Sequence, residues 1–239
     1  MTDWLFDPTP RPSLPIEGDA RRFPVRRILC VGQNYADHAR EMGADPDRQA
    51  PFFFTKPADA VVTDGADPAY PSLTANLHHE VELVCAITGE GEDLSPQDAA
   101  GLIAGWAVGV DLTRRDLQAA AKTAGRPWDA AKGFDQSAPV GPIRLGPLPD
   151  AAGAIALSVN GERRQGSTLD RMIWSPAEVV AQASRLWRLM PGDLIFTGTP
   201  EGVGPLNPGD RVEASIAELP ALSFTVRPAS SSERAPRER

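Results

Sequence analysis

Apolar and polar positions alternate with a period of two through several short runs, the pattern of strands with one face turned to a core. The clearest is 78–88 (HHEVELVCAIT); residues 25–32 (VRRILCVG) and the compact aromatic run 51–57 (PFFFTKP, bracketed by prolines) also read as strands. Residues 154–160 form another, and Gly161-Glu162 turns the chain into a return strand from Arg163. Residues 105–113 (GWAVGVDLT) are continuously apolar until Asp111, as expected of a buried strand. Helices interrupt these runs. Ser95-Pro96 and Ser175-Pro176 each set a Ser cap before a Pro at the first helical position, and Glu178 completes a capping box for a helix reaching about Arg188. A further helix is expected from about Arg114 to Thr123. Asn34 as N-cap and Gly43 as C′ residue bracket two turns at 35–42, a helix too short to be stable unaided. Two Pro-Gly-Asp turns flank a glycine-rich loop at 197–204.

The 24 prolines and 21 glycines are spread along all 239 residues, so many turns separate short elements. The fold class predicted is α+β, mainly β. Residues 1–24 read as an irregular proline-rich segment, 25–228 as one folded domain, and 229–239 (ASSSERAPRER from Ala229) as a disordered polar tail. A hydrophobic share of 41% with 23% charged residues is that of an ordinary soluble protein. No apolar run approaches the roughly 20 residues that span a bilayer, and the N-terminus lacks the features of a signal peptide. A cytoplasmic protein is expected, with no membrane partner. A net charge of −8 argues against a nucleic-acid partner. Cys30 and Cys85 both sit in apolar runs and read as small core residues in a reducing compartment.

Chemistry enters with the acids. Residues two apart on a strand share a face, so Glu80 and Glu82 project together while Val81, Leu83, Cys85 and Ile87 line the other side. Two carboxylates so placed on a half-buried strand repel each other and lose hydration, and a bound cation relieves both penalties. Asp111, at the end of an apolar strand, also needs a partner. Three hard oxygen ligands suit Mg²⁺ or Mn²⁺ better than Zn²⁺. Taken alone, however, Glu-x-Glu describes a solvated strand face just as well, and more commonly. The loop at 197–204 lacks a nucleotide-binding glycine pattern. Thr199 and the neighbouring amides can hold a substrate carboxylate, and for every residue of the loop except Thr199 a tight connecting turn is an equally good reading.

Seven segments then resemble, in order, the motifs of the fumarylacetoacetate hydrolase (FAH) family: CVGQNYADHAREMG, FFFTKPADAVV, LHHEVEL, GVDLTRRDLQ, RPWDAAKGFDQSAPVGP, SVNGERRQGST and TGTPEGVGPL. The likeness runs from about residue 25 to 226 and is greatest to short bacterial acylpyruvate-cleaving members. It implies a mixed β-sheet roll with flanking helices, usually a homodimer, acting on a small 2-keto dicarboxylic acid with Mg²⁺ or Mn²⁺. It places the metal on Glu80, Glu82 and Asp111. His38 and Glu41 share a helix face by spacing, which alone fits an exposed surface pair. The resemblance makes them a catalytic dyad on a lid near 33–45. It likewise aims Lys132 at the substrate and Gln118 into the pocket. Arg115 has an equal alternative as a structural ion-pair partner. Gln33 departs from the basic residue of many relatives. The activity implied is hydrolysis of an acylpyruvate, foremost fumarylpyruvate to fumarate and pyruvate. Oxaloacetate decarboxylation, dienedioate isomerisation and a non-enzymatic metal-binding module are the alternatives.

Overall fold

The computed structural model describes residues 4–36, 38, 50–148 and 150–229. Among the described residues strand makes up 39% and helix 17%, the mainly β architecture expected. In chain order the strands are β1 (Ser13–Ile16), β2 (Asp19–Pro24), β3 (Arg27–Val31), β4 (Phe53–Lys56), β5 (Val61–Val62), β6 (Leu77–His79), β7 (Val81–Ile87), β8 (Ile103–Val110) and β9 (Thr113–Arg114). They continue with β10 (Ala138–Pro139), β11 (Arg144–Leu145), β12 (Ala154–Val159), β13 (Glu162–Thr168), β14 (Asp193–Phe196), β15 (Gly204–Leu206), β16 (Arg211–Ile216) and β17 (Leu222–Thr225). The α-helices whose full range lies among the described residues are α1 (Pro96–Ala100), α2 (Arg115–Thr123), α3 (Asp129–Lys132) and α4 (Pro176–Leu186).

A six-stranded sheet in the order β11-β8-β7-β14-β3-β4 forms the centre. Its strands pair antiparallel except β14 with β3, which run parallel. Leu83, Cys85 and Ile87 of β7 join one hydrophobic core with β12, β16 and α4. Val84 and Ala86 point the other way, into a second core with Ile28, Phe196 and Phe23. The strand is therefore buried on both faces, not half-exposed as its alternation suggested. The two cysteines belong one to each core and are free thiols. Burial pushes both up, Cys30 well above the ordinary thiol value with further help from the Asp111 charge. Where β3 and β14 begin, the fully buried Asp193 carboxylate accepts bonds from Arg26 at 2.9 Å, Arg27 at 2.9 Å and the Met190 amide at 3.0 Å.

Several local expectations change. Residues 13–24 are a hairpin, not irregular chain: Leu14 and Phe23 face each other and are buried, and the prolines sit on a two-stranded ribbon that tolerates missing amides. The run 78–88 is two strands broken at Glu80, with β6 paired to β15 and β9 in a separate sheet. Asn34 is not a simple cap. Its amide donates to the carbonyls of Trp174 and Thr197, each at 2.8 Å, and its oxygen accepts from the Trp174 amide at 2.8 Å. Most of the helix expected at 35–42, and of the lid, lies outside the described residues, as does the tail from 230. The Ser95 cap and the Ser175–Glu178 capping box form as expected.

Candidate active site

Strand register brings the three acids together. β7 and β8 run antiparallel with Val81 opposite Val110, so the residues just beyond that pair, Glu80 and Asp111, become neighbours. The Asp111 amide donates to the Glu80 carbonyl at 2.8 Å. Glu82 lies opposite Gly109 on the adjoining stretch of β7. One carboxylate oxygen from each acid lies within 4.8 Å of the others, and all three residues are buried. Beyond the end of β14, the Gly198 amide donates to Glu82 at 2.6 Å. Gly198 has a φ of 92°, and a Cβ there would meet Asn34 Cβ at 2.6 Å, so a side chain is excluded on two grounds.

Among the described residues, three cations ion-pair with two of the three acids, Glu80 and Asp111. Lys132 Nζ donates to Glu80 at 2.8 Å, Asp111 at 2.7 Å and Thr113 at 2.6 Å. Lys56 Nζ lies 2.8 Å from the second Asp111 oxygen and donates to the Leu112 carbonyl at 3.1 Å. The Arg115 guanidinium bonds Glu80 and the Gln118 side-chain oxygen. Its Nε donates to His78 Nδ1 at 3.3 Å. Burial and the Arg115 charge push His78 down to about 4, which keeps it neutral. Burial raises the Glu80 carboxyl, but the Lys132 and Arg115 charges outweigh it and hold Glu80 below the usual range. Burial also pulls the Lys132 ammonium down, and the Asp111 and Glu80 charges overcome it and raise it. Glu82 differs. Burial, then Asp111 and Glu80, push it well above the usual carboxylate value. Among the described residues no lysine or arginine ion-pairs with it. An all-oxygen set whose third acid has no ion-pair partner among the described residues fits a divalent cation.

A narrow cleft opens over these groups. Glu80, Glu82, Lys132, Arg115, Gln118, Thr199, Gln33 and His38 line it, with Phe52, Phe54 and Trp128 as an aromatic wall. Asp111 is fully buried behind them. Gln118 reaches the cleft as the residue three beyond Arg115 in α2; the chain from Asp111 to Arg114 is not helical. Arg115 is both an ion-pair partner of Glu80 and a lining residue. His38 is buried at the cleft, and Glu41 lies outside the described residues. Lys56 and Gln165 were not singled out from sequence. A lysine in the aromatic strand 51–57 was the available signal for the first. Gln165, a lone amide on β13, gave none.

A family model described as fumarylacetoacetate (FAA) hydrolase C-terminal matches residues 27–227. A fumarylpyruvate hydrolase from Ralstonia sp is 44% identical over 179 residues, 74% of this chain and 93% of the relative. A mitochondrial oxaloacetate tautomerase from Mus musculus is 40% identical, covering 84% of this chain and 92% of its own. Among solved structures, fumarylpyruvate hydrolase from Pseudomonas aeruginosa in complex with Mn²⁺ and pyruvate superposes with a TM-score of 0.91. It is 50% identical, over 94% of this chain and 99% of that one. With its acid cluster, cleft and full-length likeness, the chain belongs to the fumarylacetoacetate hydrolase family.

Proposed function

We propose that this protein is a metal-dependent hydrolase that cleaves the carbon–carbon bond of an acylpyruvate, with fumarylpyruvate as substrate and fumarate and pyruvate as products. The observation that carries this is Glu82, a buried acid without an ion-pair partner among the described residues, beside Glu80 and Asp111 in a cleft otherwise rich in cations. Glu80, Glu82 and Asp111 would hold Mg²⁺ or Mn²⁺. When bound, the ion supplies Lewis-acid polarisation of the 2-oxo group and a template for the adjoining carboxylate.

The chain's own groups do the rest. Arg115 and Lys132 keep the cleft receptive to a dianion, and the Thr199 hydroxyl and Gln118 amide orient it. His38, oriented by Glu41, takes a proton from a water that attacks the distal carbonyl. The bond between that carbonyl and the methylene carbon breaks, its electron pair moves onto the pyruvate fragment as an enolate, and Lys132 stabilises the developing charge. Protonation of the methylene carbon completes pyruvate, and the acyl fragment leaves as fumarate. The aromatic wall of Phe52, Phe54 and Trp128 receives the unsaturated acyl chain.

Support comes from the 44% and 50% identity to fumarylpyruvate hydrolases. The relatives named oxaloacetate tautomerases favour a second reading, enol–keto interconversion of oxaloacetate, which needs a proton shuttle but no bond cleavage. Purified protein with Mg²⁺ or Mn²⁺ is expected to remove the enol absorbance of fumarylpyruvate and release pyruvate. Interconversion of oxaloacetate without pyruvate release would select the second activity, loss of CO₂ from oxaloacetate would select decarboxylation, and metal binding without turnover would leave a binding module. No helix among the described residues is long and apolar enough to cross a membrane. A cytoplasmic homodimer belongs to the same proposal, and light scattering tests the dimer.

A further inference from the structure

Gln165 of β13 is buried outside the cleft, and among the described residues it touches no group assigned a role above except Thr199. Its side-chain oxygen faces the Val81 amide at 3.1 Å, and its nitrogen faces the Pro200 carbonyl at 2.9 Å. A backbone N–H only donates and a carbonyl only accepts, so these two contacts fix which way round the amide sits. Turning it over would set donor against donor and acceptor against acceptor. Two consequences follow. The second amide hydrogen points at Thr199 Oγ1, 2.8 Å away, so that oxygen accepts from it. His79 Nδ1, 2.9 Å from the Gln165 oxygen, must carry a proton to bond there. With its oxygen committed as acceptor on that side, Thr199 keeps its own O–H for an acceptor in the cleft that it lines.

We infer that Gln165 is a positioning residue for the proposed reaction: it locks the Thr199 hydroxyl as a donor toward an anionic oxygen of the substrate. This rests on the reading of the cleft as a 2-keto acid site. A hydroxyl without that donor beside it could turn its hydrogen away from the cleft. The amide removes that choice and leaves Thr199 ready to donate.

The test uses the Mn²⁺-loaded full chain and pyruvate as the probe, with calorimetric titration and steady-state kinetics on fumarylpyruvate. Thr199→Val and Gln165→Met are each expected to weaken pyruvate roughly tenfold and to raise KM more than they lower kcat. The double variant should be no weaker than the weaker single, because both act through the same hydrogen bond from Thr199 to the substrate. Affinity for Mn²⁺ alone should stay within about twofold of the parent. Single effects that multiply in the double variant, or a Gln165→Met protein that binds pyruvate like the parent, would overturn the inference while the functional reading stands. A parent that binds no pyruvate removes the functional reading itself. Should Gln165→Met fail to fold, ¹⁵N-edited NMR of the parent decides independently of substrate: His79 must carry hydrogen on Nδ1, and a proton on Nε2 alone would refute the amide orientation.

Discussion

Glu82→Gln is expected to leave the metal-free protein at least as stable as the parent and to abolish the stabilisation that Mn²⁺ brings. Lys132, Lys56 and Arg115 all serve Glu80 and Asp111, while among the described residues Glu82 accepts from the Gly198 amide and ion-pairs with none of them. Its carboxyl is raised by burial, Asp111 and Glu80. A carboxyl raised on folding contributes stability below its unfolded value near ~4.3 and loses it as pH rises through the folded value. The parent's metal-free melting temperature should therefore fall from pH 5 to pH 8 more steeply than that of the variant. Glutamine has the same shape, keeps an acceptor for Gly198 and carries no charge to bury. With metal the order reverses. Mn²⁺ at about 100 times its Kd stabilises the parent by about 2.7 kcal/mol. At about 2–4 °C per kcal/mol for a chain of this size, Tm rises by about 5–10 °C. Circular-dichroism melts after EDTA treatment, with and without Mn²⁺, measure both effects. A variant that keeps the full Mn²⁺ shift would show that Glu82 is not a ligand. A metal-free variant melting more than about 5 °C below the parent would show that the charge is compensated, and the electrostatic reasoning fails.

Gly198→Ala combines a positive φ with a Cβ 2.6 Å from Asn34. It should cost about 2–4 kcal/mol in urea unfolding and lower Mn²⁺ affinity by shifting the amide that holds Glu82. Asp193→Ala should cost about 2–4 kcal/mol by the same measurement, below the full penalty for a broken buried pair because Arg26 and Arg27 are partly exposed and rehydrate. It starts β14, on the order of 17 Å along the strand from Gly198, so KM should not change. Ser175→Ala removes one half of the capping box on α4 and should cost about 1 kcal/mol, read as a lower midpoint in thermal melts with activity intact.

The acids were legible because strand periodicity holds wherever a strand forms, and Glu80, Glu82 and Asp111 broke the apolar pattern of two runs. Their closeness was not legible, because it depends on the register of Val81 against Val110, and nothing local sets that pairing. Burial of both faces of β7 was missed for a related reason. Phe196 and Ile28, which help cover the second face, come from distant segments. Asn34 shows how a local signal can carry a different meaning. A side chain suited to cap a helix serves as well to tie the loop after β3 to Trp174 and Thr197, and only the tertiary partners distinguish the two. The hairpin at 13–24 was hidden by prolines that an edge ribbon tolerates. Lys56 and Gln165 are single polar residues whose importance lies wholly in what folds against them.

The parallel pairing of β3 with β14 bears on when the site comes into being. Arg27 and Asp193 meet across 166 residues of chain. During synthesis all three acids emerge well before the segment that supplies the Gly198 amide and the Thr199 hydroxyl. Contacts so far apart in sequence form late, after most of the chain entropy has been given up. A nascent chain stopped short of Asp193 carries every candidate ligand and lacks the strand that lies between β3 and β7. High-affinity metal uptake should accordingly mark the completion of folding, not its beginning.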